Sequence, residues 1–585
     1  LEFSALFSGL QSFPGESGIF APAPRQATYA FFMSTQCSFL KELTRMLFGN
    51  IMNYPLTVTR LLERARTHFS TVEIVTKRPD GTMHRYAYRA AYQRICRLAN
   101  ALKRLGVAPG DRVGTLAWNH FQHVELYFAV PCSGAVIHTL NLRLSPQQLA
   151  YTINHAEDMV IFADASLLPM LEAIAPHIAG VKRFVILNGT PELRTALPNV
   201  LHYEDLLANE SDSFDWPELD ERMAAGLCYT SGTTGNPKGA LYSHRSQYLH
   251  TVVAGSGDAL ALASTDTVLG VVPMFHANAW GLPYLSAALG FRFILPGPHL
   301  KPNDLAKLIQ DERVTVAAGV PTLWIGMYHE IKRHGYDISS LRALIVGGSA
   351  FPKAMIEAYE KELGVPVVHA WGMTEMSPMG TSTGTLVARD DLTIDERIEI
   401  KTHQGYAPLG VEMRIVDDAG RVLPWDGKSV GEIQVRGPWI ISSYYNDPSG
   451  ETQFTSDGWF RTGDVASLDP DGLMTIADRT KDLIKSGGEW ISSVALENAL
   501  MAHPQVLEAA VIAVPHEKWS ERPLALVVPK TGAQPNAQDL LDLIESQFAK
   551  FWIPDEIRFV AEIPKTSVGK FDKKVLRQRY ADGAL

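Results

Sequence analysis

The chain has 585 residues, enough for about four units of the ~150-residue size usual for domains, which excludes one compact core. Hydrophobic residues make up 46% and charged residues 20%, an ordinary globular balance that excludes a disordered, collagen-like or coiled-coil chain. Lys and Arg number 53 against 63 Asp and Glu, and the resulting charge of −10 excludes any broad attraction to nucleic acid or an anionic membrane, so bound phosphate must be held locally.

The first residues are interrupted by Pro14, Gly15, Pro22, Pro24 and Arg25, unlike a secretory signal, and residues 1–45 are expected to form an extension outside the fold. The first amphipathic pattern is Val58–Ala65. From about residue 85 to 380, apolar β-branched runs alternate with helical patterns, as crossover helices between buried parallel strands require. Predicted strands are Arg112–Leu116, Val160–Ala163, Phe184–Leu187, Val268–Val272, Phe293–Leu295 and Ala343–Val346; predicted helices are Gln147–His155, Asp304–Gln310 and Lys353–Leu363. So many strands predict more than one sheet. No apolar run reaches the ~18 residues of a membrane span, since Leu126–Leu140 contains Pro131, Ser133, Gly134 and His138. Cys37, Cys96, Cys132 and Cys228 lie far apart without metal-ligand spacing, which predicts buried thiols in a reducing cytoplasm.

After Gly410 the texture changes to antiparallel hairpins: Met413–Val416, the turn Asp417–Gly420, Val422–Leu423 and Glu432–Val435. A second break falls at Ala477–Lys485, followed by helix, strand, strand, helix, strand and helix. There Val511–Val514 and Leu524–Val528 read as strands, while Leu540, Leu541, Ile544 and Phe548 mark one helical face. The predicted fold is α/β: a large N-terminal region of two α/β sheets and a small β-barrel-like subdomain, then a mobile α+β C-terminal domain. The expected boundaries are 46–480 and 481–585.

The strongest local signal is Tyr229-Thr230-Ser231-Gly232-Thr233-Thr234-Gly235-Asn236-Pro237-Lys238-Gly239. Small residues free backbone amides and hydroxyls to surround phosphate oxygens, and Lys238 adds positive charge. Its order is not that of a Walker loop. Further along stand Pro273-Met274-Phe275-His276, Gly347-Gly348-Ser349-Ala350, Gly372-Met373-Thr374-Glu375, Arg461-Thr462-Gly463-Asp464, Asp478-Arg479-Thr480-Lys481-Asp482 and Pro564-Lys565-Thr566-Ser567-Val568-Gly569-Lys570.

In this order the motifs resemble the adenylate-forming superfamily of acyl-CoA synthetases, adenylation domains and luciferases, over about residues 52–580. The resemblance implies that Thr230, Ser231, Gly232, Thr233, Thr234, Gly235 and Lys238 bind ATP phosphates. It also implies that Trp371 stacks on adenine, where Tyr is common, and that Ala277, Trp280, Gly348, His369, Ala370 and Thr374 surround the nucleotide. Gly347 and Gly348 are expected to let the backbone approach a base or ribose closely. Glu375 with Thr230 would hold Mg²⁺. Asp464 would accept ribose hydroxyls, with Arg479 adding polar contacts. Lys481 would be the hinge, and Lys485 and Trp490 would touch nucleotide or the domain interface. Lys570 would stabilise negative charge on the transferring phosphorus.

The implied chemistry joins a carboxylate to AMP and then passes the acyl group to coenzyme A, with residues 482–585 rotating about Lys481 between the steps. Phe275-His276 lacks the acidic residue common in amino-acid-adenylating relatives, and the segment looks most like bacterial medium- and long-chain fatty-acyl-CoA synthetases. His276 is placed in the catalytic set as a group that positions the acid or adenylate, not as a general base, because the carboxylate is already ionised. Trp280 would gate an apolar acyl tunnel. Expected partners are fatty acid, ATP and coenzyme A, with no nucleic acid and no membrane span, in a cytoplasmic homodimer. The alternatives are a ligase of aryl or short branched carboxylates and a nucleotide-binding regulatory protein without turnover.

Overall fold

The computed structural model describes residues 49–190, 192–230, 236–384, 392–479, 481–486, 489–565 and 570–585, without the side chains of Glu489 and Trp490. The predicted extension 1–45 lies outside the described residues. The chain divides into Leu1–Tyr54 and Pro55–Leu585, and the sheets belong to the second unit.

Two mostly parallel sheets dominate. The seven-stranded sheet runs in the order Val200–His202, Arg183–Leu187, Asp158–Asp164, Arg112–Leu116, Val136–Thr139, Ala224–Tyr229 and Gly239–Ser243, with only the last pair antiparallel. The eight-stranded sheet runs Met379–Ser382, Val367–Gly372, Ala343–Gly347, Val316–Gly319, Thr267–Gly270, Arg292–Leu295, Glu73–Lys77 and Met83–Ala87, with antiparallel pairs only at its two edges. Parallel strands covered on both faces read as continuous apolar runs, and Ala343–Gly347 and Val136–Thr139 are buried throughout. One apolar cluster joins Val113 and Ile137 of the first sheet to Phe293 and Ile345 of the second. At its centre the helix Phe121–Cys132 has every residue buried, which explains why its sequence has no polar face.

The later segments form two smaller sheets. Glu412–Val416, Gly431–Arg436, Phe460–Leu468 and Met474–Arg479 pair antiparallel in sequence order, giving the small β subdomain. In the C-terminal segment the order is Glu489–Ile491, Ile484–Ser486, Ser520–Pro529 and Val506–His516, with Glu556–Phe559 paired parallel to Ser520–Pro529. The helices Ser493–Met501, Ala537–Glu545 and Lys573–Ala581 complete it, and Leu540 and Ile544 enter its core.

Three expected elements differ, each for a local reason. The strand predicted at Val268–Val272 ends at Gly270, because Val271 and Val272 both donate to Ala318 O and Pro273 has no N–H to continue the ladder. Asn119 takes up the freed backbone: its Nδ2 donates to Gly270 O and Val272 O at 2.9 and 2.7 Å, and its Oδ1 accepts from Met274 N at 2.8 Å. The helix predicted at Lys353–Leu363 is α-helical only over Lys353–Glu357 and widens to a π-turn at Ala358–Glu362, where buried Tyr359 donates to Trp324 O. Val422–Leu423 is no strand; Val422 makes a single bridge to Val416.

Candidate active site

A cavity of about 1000 Å³ opens at the carboxyl ends of the parallel strands Ala343–Gly347 and Val367–Gly372, the edge at which open α/β sheets bind ligands. Thr230 and Lys238 reach it from a hairpin, not from a strand–loop–helix. Thr230 N donates to Lys238 O, and Lys238 N donates back to Thr230 Oγ1 at 3.2 Å, closing the neck of the loop between antiparallel strands. Ser231, Gly232, Thr233, Thr234 and Gly235, between these anchors, lie outside the described residues.

His276, Ala277 and Trp280 line the cavity next. Ala277, Asn278, Ala279 and Trp280 have φ of 42°, 51°, 51° and 56°, a left-handed turn of non-glycine residues that costs about 1–2 kcal/mol per residue. Buried Asn278 helps to hold it, its Oδ1 accepting from Cys228 Sγ at 3.3 Å. Such strain persists where the surroundings over-determine it and concentrates at functional sites. A Cβ on Gly347 would stand 3.0 Å from Trp280 Cη2, so the Trp280 ring packs against the backbone here, and Gly347 lines the cavity beside it. Burial first, with Lys570 and Arg143 adding, lowers the His276 pKa to about 4, so the imidazole is neutral near pH 7.

Gly348, His369, Ala370, Trp371, Thr374 and Glu375 line the same space. Burial lowers the His369 pKa, and its Nδ1 lies 2.9 Å from His403 O. Burial also raises the Glu375 pKa, opposed first by the Tyr444 hydroxyl, which donates to Glu375 Oε1 at 2.7 Å. Facing them, Asp464 and Arg479 are directly opposite in the antiparallel ladder, with Arg479 Nε 3.2 Å from Asp464 Oδ1. Trp371 Nε1 donates to Asp464 Oδ2 at 2.8 Å.

The C-terminal segment closes the cavity. Lys481 and Lys570 both line it, and Lys570 is half-buried there. Burial first, then Arg479 and Lys481, lowers its pKa to about 8, against the opposing carboxylates of Asp464 and Glu375. Lys485 is set apart from this group: it is exposed on Ile484–Ser486, outside the cavity lining, because alternate residues of that strand face the C-terminal core. The Trp490 side chain lies outside the described residues.

Two sets of residues escaped the sequence reading. Tyr444 stands under Lys238, whose Nζ is 5.0 Å from the ring centroid and 3.6 Å from Asp447 Oδ2. One aromatic thus touches both Lys238 and the buried carboxylate, and no spacing rule marks it. The second set docks the C-terminal segment. Asp478 accepts from Ser493 N at 2.7 Å and from the Ser493 hydroxyl, and Ser492 donates to Ala477 O. Lys573 Nζ bonds Ser493 Oγ at 2.5 Å and Glu497 Oε1 at 2.7 Å. The Ser-Ser pair preceding an apolar helix was a readable N-cap signal, but its partner on another strand was not.

Comparison with known proteins agrees with this geometry. The AMP-binding enzyme model matches residues 62–445, and the AMP-binding enzyme C-terminal domain model matches residues 495–570. A 3-methylmercaptopropionyl-CoA ligase of Ruegeria lacuscaerulensis is 45% identical over 537 residues, covering 92% of this chain and 99% of that protein. A long-chain-fatty-acid–CoA ligase of Thermus thermophilus is 47% identical over 534 residues, covering 91% of this chain and 97% of that protein. The crystal structure of an anthranilate CoA ligase, AuaEII, in complex with anthranoyl-AMP superposes with a TM-score of 0.82 at 26% identity, covering 91% of this chain and 99% of that one.

Proposed function

The chain belongs to the AMP-binding enzyme family, and from that premise we propose that it is an AMP-forming acid–thiol ligase that converts a medium- or long-chain fatty acid, through acyl-AMP, to acyl-CoA. One observation carries the reading: Lys570 of the C-terminal segment meets Glu375, Asp464 and Arg479 of the large region in a single cavity. In the first step a carboxylate oxygen attacks the α-phosphorus of ATP, and the bond to pyrophosphate breaks. Lys570 supplies positive charge where the phosphoryl oxygens gain negative charge. Lys238 and the loop amides hold the phosphates, and Asp464 accepts the ribose hydroxyls. Trp371 and Gly348 flank the base, and neutral His276 positions the acid. In the second step the coenzyme A thiolate attacks the acyl carbonyl carbon, and AMP leaves.

The donor set around Glu375 fits Mg²⁺. A buried carboxylate and the Thr230 hydroxyl are hard oxygen ligands, and among the described residues no group of three His, Cys, Asp or Glu forms an all-protein cage. A cation held by one or two carboxylates together with substrate phosphates matches that set. When bound, it would screen phosphate charge.

The two steps compete for space at the carbonyl, so the reading includes a mobile segment 481–585 turning about Lys481 and carrying Lys570 away before thiol attack. The strained turn under Trp280 supports a gate to the acyl pocket. The name of the Thermus thermophilus relative supports a fatty acid. A second reading, a short sulfur-bearing carboxylate, is favoured by the name of the Ruegeria relative. Among the described residues no helix is long and apolar enough to cross a membrane. A homodimer is part of the proposal and is tested by mass in solution.

The test is a scan of straight-chain, aromatic and short thioether acids for two signals: exchange of labelled pyrophosphate into ATP, and coenzyme A-dependent AMP release with Mg²⁺. Both signals rising with chain length support the fatty-acid reading; turnover confined to short acids selects the second. Absence of both with every acid rejects the enzyme.

A further inference from the structure

Stacking on adenine asks only for a flat ring, yet Trp371 makes a contact that requires its N–H. Nε1 donates to Asp464 Oδ2 at 2.8 Å, between side chains 93 residues apart in sequence and both buried. Arg479 Nε takes the other carboxylate oxygen, Oδ1, at 3.2 Å. The indole is itself fixed, since a Cβ on Gly380 would stand 2.4 Å from its Cζ3 and 2.5 Å from its Cε3. With one ring edge seated against that backbone, the N–H cannot swing off the carboxylate without losing its packing.

We propose that Trp371 is a positioning residue for ribose recognition: its indole N–H holds the Asp464 carboxylate in the one orientation that accepts both hydroxyls of a nucleotide ribose. The proposal rests on the reading of the cavity as an ATP site. An ionised carboxylate has about four lone-pair sites. Trp371 takes one on Oδ2 and Arg479 one on Oδ1, and a vicinal diol needs one more on each oxygen. The terminal torsion of Asp is broad and roughly two-fold, so a single partner does not fix the carboxylate plane. Without the indole N–H, Arg479 alone would hold one oxygen and the second acceptor would lose its aim. A phenol at this position could stack on the base, but it would present its hydroxyl at another distance and angle.

The test measures binding of ATP and of 2′-deoxy-ATP by calorimetry, and kcat/KM for both in acid-dependent pyrophosphate exchange. The proteins are the full chain, Trp371→Phe, and a variant with 3-benzothienylalanine at position 371. The last keeps the ring size and replaces N–H by sulfur, so it reports on the bond even if the smaller ring fails to fold. The expected result is a fall of about tenfold in the preference for ATP over 2′-deoxy-ATP in both readouts, the scale of one hydrogen bond to a charged group losing its alignment. Equal weakening toward both nucleotides, or no preference in the unaltered protein, would overturn the proposal. The enzymatic reading fails separately: no acid then drives exchange, while the binding preference can still be measured.

Discussion

In the proposed reaction the Lys570 ammonium has to be charged to stabilise phosphoryl transfer, and its surroundings work against that charge. Burial lowers its pKa most, Arg479 and Lys481 add to this, and Asp464 and Glu375 oppose it, for a net value of about 8. The sign follows directly: the active cation is present below about pH 8 and is lost as pH rises through that value. Near pH 9 about one molecule in eleven keeps the charge, so kcat/KM for ATP in acyl-AMP formation should fall about tenfold, and near pH 10 about a hundredfold. With ATP bound, phosphate charge beside the ammonium favours protonation, so kcat at saturation should fall only at higher pH. Lys570→Arg should lose the basic limb of the kcat/KM profile, because guanidinium does not deprotonate in this range. Lys570→Ala should lose about 10²–10³-fold in acyl-AMP formation, the size seen when one preorganised charge-stabilising group is removed. Thioester formation from supplied acyl-AMP should stay within a few-fold of the unaltered protein. Quenched single turnovers read each half-reaction separately. An unchanged basic limb in Lys570→Arg, or equal loss of both half-reactions in Lys570→Ala, would refute the role.

Trp280→Ala should shift the chain-length profile in kcat/KM, with each added methylene that gains burial worth about 0.8 kcal/mol, or about fourfold; superimposable profiles would remove the gate. Tyr444→Phe deletes the hydroxyl that donates to buried Glu375 and should raise the half-saturating Mg²⁺ concentration about tenfold while leaving the KM for the acid unchanged. A shift in both constants would make Tyr444 merely structural. Ser493→Ala removes the hydroxyl bond from the first turn of its helix to Asp478 and leaves the backbone N–H bond in place, so it weakens a tie that the proposed rotation about Lys481 has to break. It should slow acyl-AMP formation and quicken thioester formation from supplied acyl-AMP; parallel changes in both steps would exclude a latch.

What the sequence made legible follows from range. Buried parallel strands announce themselves as short apolar runs, and Arg112–Leu116 agrees residue for residue because strands on both sides leave all but its first residue buried. Several motifs converge on one cavity: Gly347 and Gly372 end parallel strands, Thr230 and Lys238 flank a hairpin loop, and Asp464 and Arg479 pair across an antiparallel ladder. Contacts set by three-dimensional neighbours were not legible. The bond from Trp371 to Asp464 spans 93 positions, and the bond from Tyr444 to Glu375 spans 69. Gly347 was readable as a place where something approaches the backbone, but the packing of the Trp280 ring against it depends on a left-handed turn that no propensity predicts for Ala-Asn-Ala-Trp. Lys485 shows the converse: its motif is in place, but strand alternation turns it to solvent.

The charges of the cavity explain why its C-terminal wall should move. Lys570, Arg479 and Lys481 bring three cations toward two carboxylates, Asp464 and Glu375; burial lowers the Lys570 pKa most, and Arg479 and Lys481 add to it. ATP adds phosphate charge, so the closed arrangement is favoured most with triphosphate present. When pyrophosphate leaves, much of that charge leaves with it, and the repulsion among the cations returns. Among the described residues, the ties from Asp478 and Ala477 to Ser493 and Ser492 are a few hydrogen bonds, each worth about 1 kcal/mol net and somewhat more where Asp478 is charged. A latch of that size is strong enough to set a population and weak enough to open, so under the proposed mechanism loss of pyrophosphate would favour the rotation that precedes thiol attack.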